Sequence, residues 1–240
     1  MSSAPPLPPP VPQPPVSPLR AALVELAGLP DDDARVDAQL RTIARLAVDR
    51  VAAIDHASVT VRSGGYVTVA STSEQALALD RAQYADDAGP CLEALDGGYP
   101  ASVPDISATV TWLRFRDTAS GLGQRASLSI PLFAARGVPI AALNCYGHDP
   151  AGMAPLSAAV WAAYDPSGAG SADAPDDGGA DLVTGLAGAL TVRSVIQQAL
   201  DVLAARIGQD AEAAYAELRR RAAADSADLA RAASRLVTSS

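Results

Sequence analysis

Between Leu186 and Ile207, positions 186, 189, 193, 196, 200, 203 and 207 form a row at alternating intervals of three and four, apolar except for Arg193. This period belongs to a helix with one apolar seam, since a strand would repeat every second residue. Gly208 stops the pattern. Two shorter helical patterns follow. Ala214, Tyr215 and Leu218 face inward in one, and Leu229, Ala232, Ala233 and Leu236 in the other. Asp210 is placed to cap the first, and Asp225 or Ser226 the second. Residues 181–240 therefore read as an all-α unit of three helices. The row Leu186, Ile196, Leu200, Leu203 and Ile207 suits a homodimer seam, or the same face packs on the two following helices.

The patterning upstream is different. Residues 1–18 hold nine prolines, which cannot pair backbone amides and so predict a disordered or polyproline-like tail. Helical patterns follow at 19–29 and 34–53, the second with Asp32 or Asp33 as its cap. Residues 58–62 and 66–71 alternate around Gly64-Gly65 as a β-hairpin. A short helix opens at Pro90, a brief strand covers 101–103, and a helix covers 112–121. Strands at 126–133 and 139–146 form a second hairpin through Ala135-Arg136-Gly137, and 155–164 is helical. Residues 19–164 thus predict an α+β domain of one antiparallel sheet with flanking helices. Residues 165–180, rich in Gly, Pro, Ser and Asp, read as a linker.

Charge separates the two parts. The net charge is −9, all 18 basic residues are arginine, and the C-terminal sixty residues balance seven arginines against seven carboxylates. Only that segment does not repel a polyanion. Cys91 and Cys145 are too few for a disulfide framework, which predicts a reduced, cytoplasmic chain. No run of 18 or more apolar residues predicts a membrane span, and no secretory leader is expected.

No catalytic constellation emerges, so an enzyme is not expected. His56 and His148 are far apart in sequence, no Cys/His group has metal-ligand spacing, and Asp55-His56 reads as a turn and strand-entry pair. No cofactor is implied. Cys91, at a helix N-terminus, is either a thiol of lowered pKa that senses oxidants or a buried small residue. Tyr84, Trp112 and Phe115 line a pocket with it or anchor the core.

Several stretches of residues 35–147 resemble a GAF domain of the kind found in actinobacterial-type regulators. They are Asp55-His-Ala-Ser-Val-Thr-Val61, Gln83-Tyr84 leading to Gly89-Pro-Cys-Leu-Glu-Ala-Leu95, Val103-Pro-Asp-Ile106, Ser127-Leu-Ser-Ile-Pro-Leu132 and Ile140-Ala-Ala-Leu-Asn-Cys-Tyr146. The resemblance implies a six-stranded antiparallel sheet with helices on one face and a small-ligand cavity on the other. The C-terminal segment from Arg193 to Val237 resembles an ANTAR module, through Arg193, Ile196, Gln198, Ala199, Leu203, Ala214, Tyr215, Leu218, Arg219, Leu229, Ala233 and Val237. Together these imply a signal-responsive transcription regulator of antitermination type. It would bind RNA stem-loops, dimerise, and respond to a small-molecule or protein signal. The RNA contacts would fall on Arg193, Arg206, Arg219, Arg220 and Arg221. Leu200, Asp201 and Ala204 stand where that family usually has lysine, glycine and methionine, which removes a cation from the RNA side. The alternatives are a module used for dimerisation or protein docking without RNA, and a stand-alone ligand or redox sensor acting through Cys91.

Overall fold

The computed structural model describes residues 16–168 and 173–239. The proline-rich tail up to residue 15 and the centre of the expected linker lie outside the described residues. The elements in chain order are α1 (Pro18–Gly28), α2 (Val36–Arg50), β1 (His56–Arg62), β2 (Tyr66–Ser71), α3 (Glu74–Asp86), α4 (Pro90–Gly97) and β3 (Ala101–Val103). They continue with α5 (Leu113–Gly121), β4 (Ala126–Phe133), β5 (Pro139–Gly147), α6 (Pro150–Tyr164), α7 (Asp177–Ile207), α8 (Ala211–Ala224) and α9 (Leu229–Thr238).

Among the described residues the strands form one sheet of five in the order β2-β1-β5-β4-β3, every pair antiparallel. The expected six-stranded sheet with one helical face is therefore corrected on both counts. Side chains alternate across a strand, and here both sets are covered. Ala57, Val59, Leu128, Ile130, Leu143 and Cys145 enter an apolar core with residues of α1, α2, α6 and α7. Ser58, Thr60, Asn144 and Tyr146 lie on the opposite face and are equally buried, under α3, α4 and α5.

Helix α3 has no counterpart among the elements expected from the sequence. Ser73 caps it, accepting from the Ala76 amide at 3.1 Å. Its inward residues include Asp80 and Gln83 as well as Ala76 and Leu79, so no clean apolar stripe marks it. Helix α6 starts at Pro150, with Asp149 accepting from the amides of Ala151 and Gly152.

The expected linker does not separate two bodies. α7 begins at Asp177, four residues before the expected start, and Asp176 is its cap. The same carboxylate accepts from the Ala52 amide at the end of α2 at 3.1 Å. Leu182 and Leu186 complete the core on the apolar sheet face with Leu19, Leu23 and Leu26. A Cβ on Gly185 would lie 2.7 Å from Leu23 Cδ1 and 3.0 Å from Arg20 Cα, so glycine sets the approach of α1 to α7. Further along, Ile196, Ala199, Leu200 and Leu203 join α8, α9 and Ala135 of the β4–β5 turn in a second core.

The homodimer seam is corrected by these two cores. Leu186, Ile196, Leu200 and Leu203 are buried within the chain, and only Ile207 of the five is exposed, at 37%. α7 is long and apolar enough to cross a membrane by length and composition, although no membrane span is expected from the sequence. Its apolar face is divided between the two cores. Gly208, at φ 64°, ends α7, and Asp210 caps α8. Asp228, rather than Asp225 or Ser226, caps α9.

Candidate functional site

The polar sheet face converges on one carboxylate. Asp80 of α3 accepts from Ser58 Oγ at 2.8 Å, Thr68 Oγ1 at 2.7 Å, Tyr146 Oη at 3.0 Å and Asn144 Nδ2 at 3.3 Å. Tyr84 Oη bridges Thr60 and Thr68 at 2.7 and 2.9 Å. Gln83 donates to Tyr146 Oη at 3.3 Å, and its carbonyl accepts from the Cys91 amide at 2.9 Å, satisfying the first turn of α4. A Cβ on Gly89 would fall 2.3 Å from Gln83 Oε1, so glycine is required for this cap.

No cation is among the four donors to Asp80. Its carboxyl is pushed up to about 6, chiefly by burial, against hydrogen bonds that pull it down. Asn144 Oδ1 and Ser127 Oγ are buried without a partner among the described residues. Hydroxyls that can both donate and accept around a carboxyl of raised pKa form a network that can reorganise when its proton leaves.

The four expected pocket residues do not line one cavity. Cys91 and Tyr84 belong to one cluster. Phe115 belongs to another, 6.5 Å from Tyr146. Trp112 lies at the edge of that second cluster and lines an open cavity of about 520 Å³ with Tyr66, Leu92, Asp87, Glu93 and Asp96. Three carboxylates at this mouth favour an uncharged or cationic visitor over an anion. The oxidant-sensing reading of Cys91 is also corrected. Burial, and next the field of Asp80, push its thiol up to about 12, although it stands at a helix N-terminus. Cys145, fully buried, is likewise pushed up to about 12. In native protein both thiols should react with a soluble thiol reagent roughly a thousandfold more slowly than in denaturant. Rapid labelling of one native thiol at neutral pH would show this burial to be wrong.

Pairing of β1 with β5 brings His56 and His148 to 5.8 Å, edge to face. Asp55 serves His148 rather than His56, accepting from its Nδ1 and its backbone amide, each at 2.8 Å. Burial raises the Asp55 carboxyl, but the His148 bonds outweigh it and hold it below the usual range. Gln124 Nε2 meets His148 Nε2 at 3.1 Å. Among the described residues no group of three His, Cys, Asp or Glu could hold a metal ion.

The five candidate RNA-binding arginines are scattered in role. Arg193 is corrected from an RNA contact to an internal tie. Its Nε donates to the Gly137 carbonyl at 2.9 Å and its guanidinium covers Phe133 at 4.1 Å. Arg219 pairs with Asp32 at 2.9 Å. Arg220 and Arg221 both pair with Glu217. Arg206 stands exposed in the last turn of α7.

A family model described as the GAF domain matches residues 34–160. The chain belongs to the GAF family. No curated protein matches it. The Asp80 cluster lies wholly inside the matched GAF segment, while α1 and α7–α9 lie outside it. Those outer helices are not independent of the GAF sheet, because α1 and the first half of α7 share one apolar core with it.

The residues missed by sequence reasoning are Asp80, Ser58, Thr60, Thr68, Asn144 and Tyr146. Polar residues alternating with apolar ones in a strand signal a solvent-facing side. Here a second helical layer covers that side, and only an unrecognised α3 supplies the carboxylate.

Proposed function

We propose that the chain is a signal-responsive regulator in which the GAF unit receives a small-molecule or protein signal and the α7–α9 bundle binds structured RNA. It acts in the cytoplasm, without catalytic activity, as an antitermination-type factor. The observation that carries this reading is the second core. Ile196, Ala199, Leu203, Ala214, Tyr215, Leu218, Leu229 and Ala233 pack together there, and these are positions on which the ANTAR resemblance rests. Arg206, Arg220, Arg221, Arg231 and Arg235 are exposed on the bundle, and Arg220, Arg221 and Arg235 would meet phosphates by exchanging their partners Glu217 and Asp225. Dimerisation, part of the same reading, has to use a surface other than the buried seam.

Fluorescence anisotropy with a labelled tandem stem-loop RNA tests the proposal. The full chain should bind at low salt. Arg220→Ser with Arg221→Ser should weaken binding about tenfold and flatten the salt dependence, by a slope of about 0.9 for each phosphate no longer neutralised. Absence of any shift at low salt would remove the RNA reading. It would favour the second one, a helical module used for protein docking. Leu200 motivates that second reading, because it is buried in the bundle where the family usually carries a cation.

A further inference from the structure

The α1–α2 connection carries three consecutive aspartates, Asp31, Asp32 and Asp33, and it lies across α8. Asp32 Oδ2 accepts from Arg219 Nη1 at 2.9 Å. Asp31 Oδ1 accepts from the Arg136 amide at 3.1 Å. The Arg136 guanidinium, from the β4–β5 turn, makes two parallel bonds of 2.9 Å to Glu212. Both guanidiniums stand over one ring, Arg136 at 4.9 Å and Arg219 at 5.9 Å from the centroid of Tyr215. Tyr215 is 4% exposed, and its hydroxyl lies against the Asp31 backbone.

Two guanidiniums flanking an aromatic ring are suited to a phosphodiester, through forked hydrogen bonds to phosphate oxygens and stacking. Carboxylates hold that arrangement here. Their ion pairs are open to water, with side-chain exposures of 43% and 66% for Arg219 and Asp32, and pairs of this kind exchange readily. We infer that Arg136, Tyr215 and Arg219 form one phosphate-accepting cradle, in which Glu212 on Arg136 and Asp32 on Arg219 stand as internal anions. RNA binding and docking of the α1–α2 connection on α8 then exclude each other. The inference rests on the RNA-binding reading of the bundle, and it adds Arg136, a GAF-segment residue, to the RNA site. The β4–β5 turn is tied to the same connection by the Ala135 amide, which donates to the Leu29 carbonyl at 3.0 Å.

The test uses the full chain with Asp32→Asn and Glu212→Gln combined, and two probes: the labelled tandem stem-loop RNA and inorganic tripolyphosphate. Both should bind about tenfold more tightly to the double variant than to the parent. Adding Arg136→Gln should abolish the gain. A control with Asp37→Asn and Asp49→Asn removes the same charge from α2 and should show no gain. If tripolyphosphate gains and depends on Arg136 while RNA binds neither protein, the cradle stands and the RNA reading falls. If tripolyphosphate affinity does not change, or the control gains equally, the cradle is wrong.

Discussion

Replacing Asp80 by Asn should make the protein gain on the parent as the pH rises. The parent carboxyl has a folded pKa of about 6 against an ordinary value of 3.8. A raised pKa means that the native state holds the proton more tightly than the unfolded chain does. The stability linked to this proton is fully present below about pH 4 and is lost as the pH climbs through 6. Two pKa units correspond to about 3 kcal/mol. Asn at this position carries no charge at any pH, and its amide can still meet the hydroxyls of Ser58 and Thr68, which are able to accept as well as donate. Urea unfolding of both proteins at pH 4 and pH 7.5 measures the effect. The stability difference should move by about 2.4 kcal/mol toward the variant between the two pH values. Other titrating groups cancel in that difference, so a pH-independent gap would mean that Asp80 is not the buried acid described. The measurement also bears on sensing, because an event in the site that supplies a donor or cation to Asp80 would favour the ionised form.

Gly178→Ala should lose about 3 kcal/mol of stability. Ala is the better helix former, and in a free linker running into a helix the change would stabilise by up to about 1 kcal/mol. The two expectations differ in sign. A Cβ at Gly178 would lie 1.7 Å from the Arg50 carbonyl oxygen, 2.6 Å from its carbon and 3.1 Å from Val51 Cα. All three are backbone atoms, so no rotamer change relieves the clash, and the start of α7 must move away from the end of α2. That movement also pulls Asp176 from the Ala52 amide. Gly97→Ala is the matched control, since a Cβ there meets no atom within 4 Å. Thermal or urea unfolding of the pair decides between the readings. Equal stability of the two variants would show that the segment before α7 is only a tether.

Much of the architecture is legible from local pattern. The two hairpins, the helix opening at Pro90, the strand at 101–103, the stop at Gly208 and the inward residues of α8 and α9 are all where turn chemistry and periodicity place them. Helix α3 is not legible, because Asp80 and Gln83 occupy its inner face and break the apolar stripe. The buried acid is hidden for the same reason, since its partners on β1 and β5 look like a solvated strand face. The apolar row of α7 is legible as a seam, but its partner is not. A second copy of the chain would fit the pattern equally well, yet the chain's own neighbours claim it: α1 takes Leu186, and α8 and α9 take Ile196 and Leu203.

The period of the apolar residues and the position of caps and turns are therefore sufficient for most of the helices and strands, and for the order in which they occur. Those signals are local, set by the backbone within one turn of helix or one hairpin. What covers a given face is not local. Whether Ser58 meets water or Asp80, and whether Arg219 awaits a phosphate or already holds Asp32, depends on residues 22 and 187 positions away. Only closure of the two helical layers over the sheet brings those groups within hydrogen-bond reach.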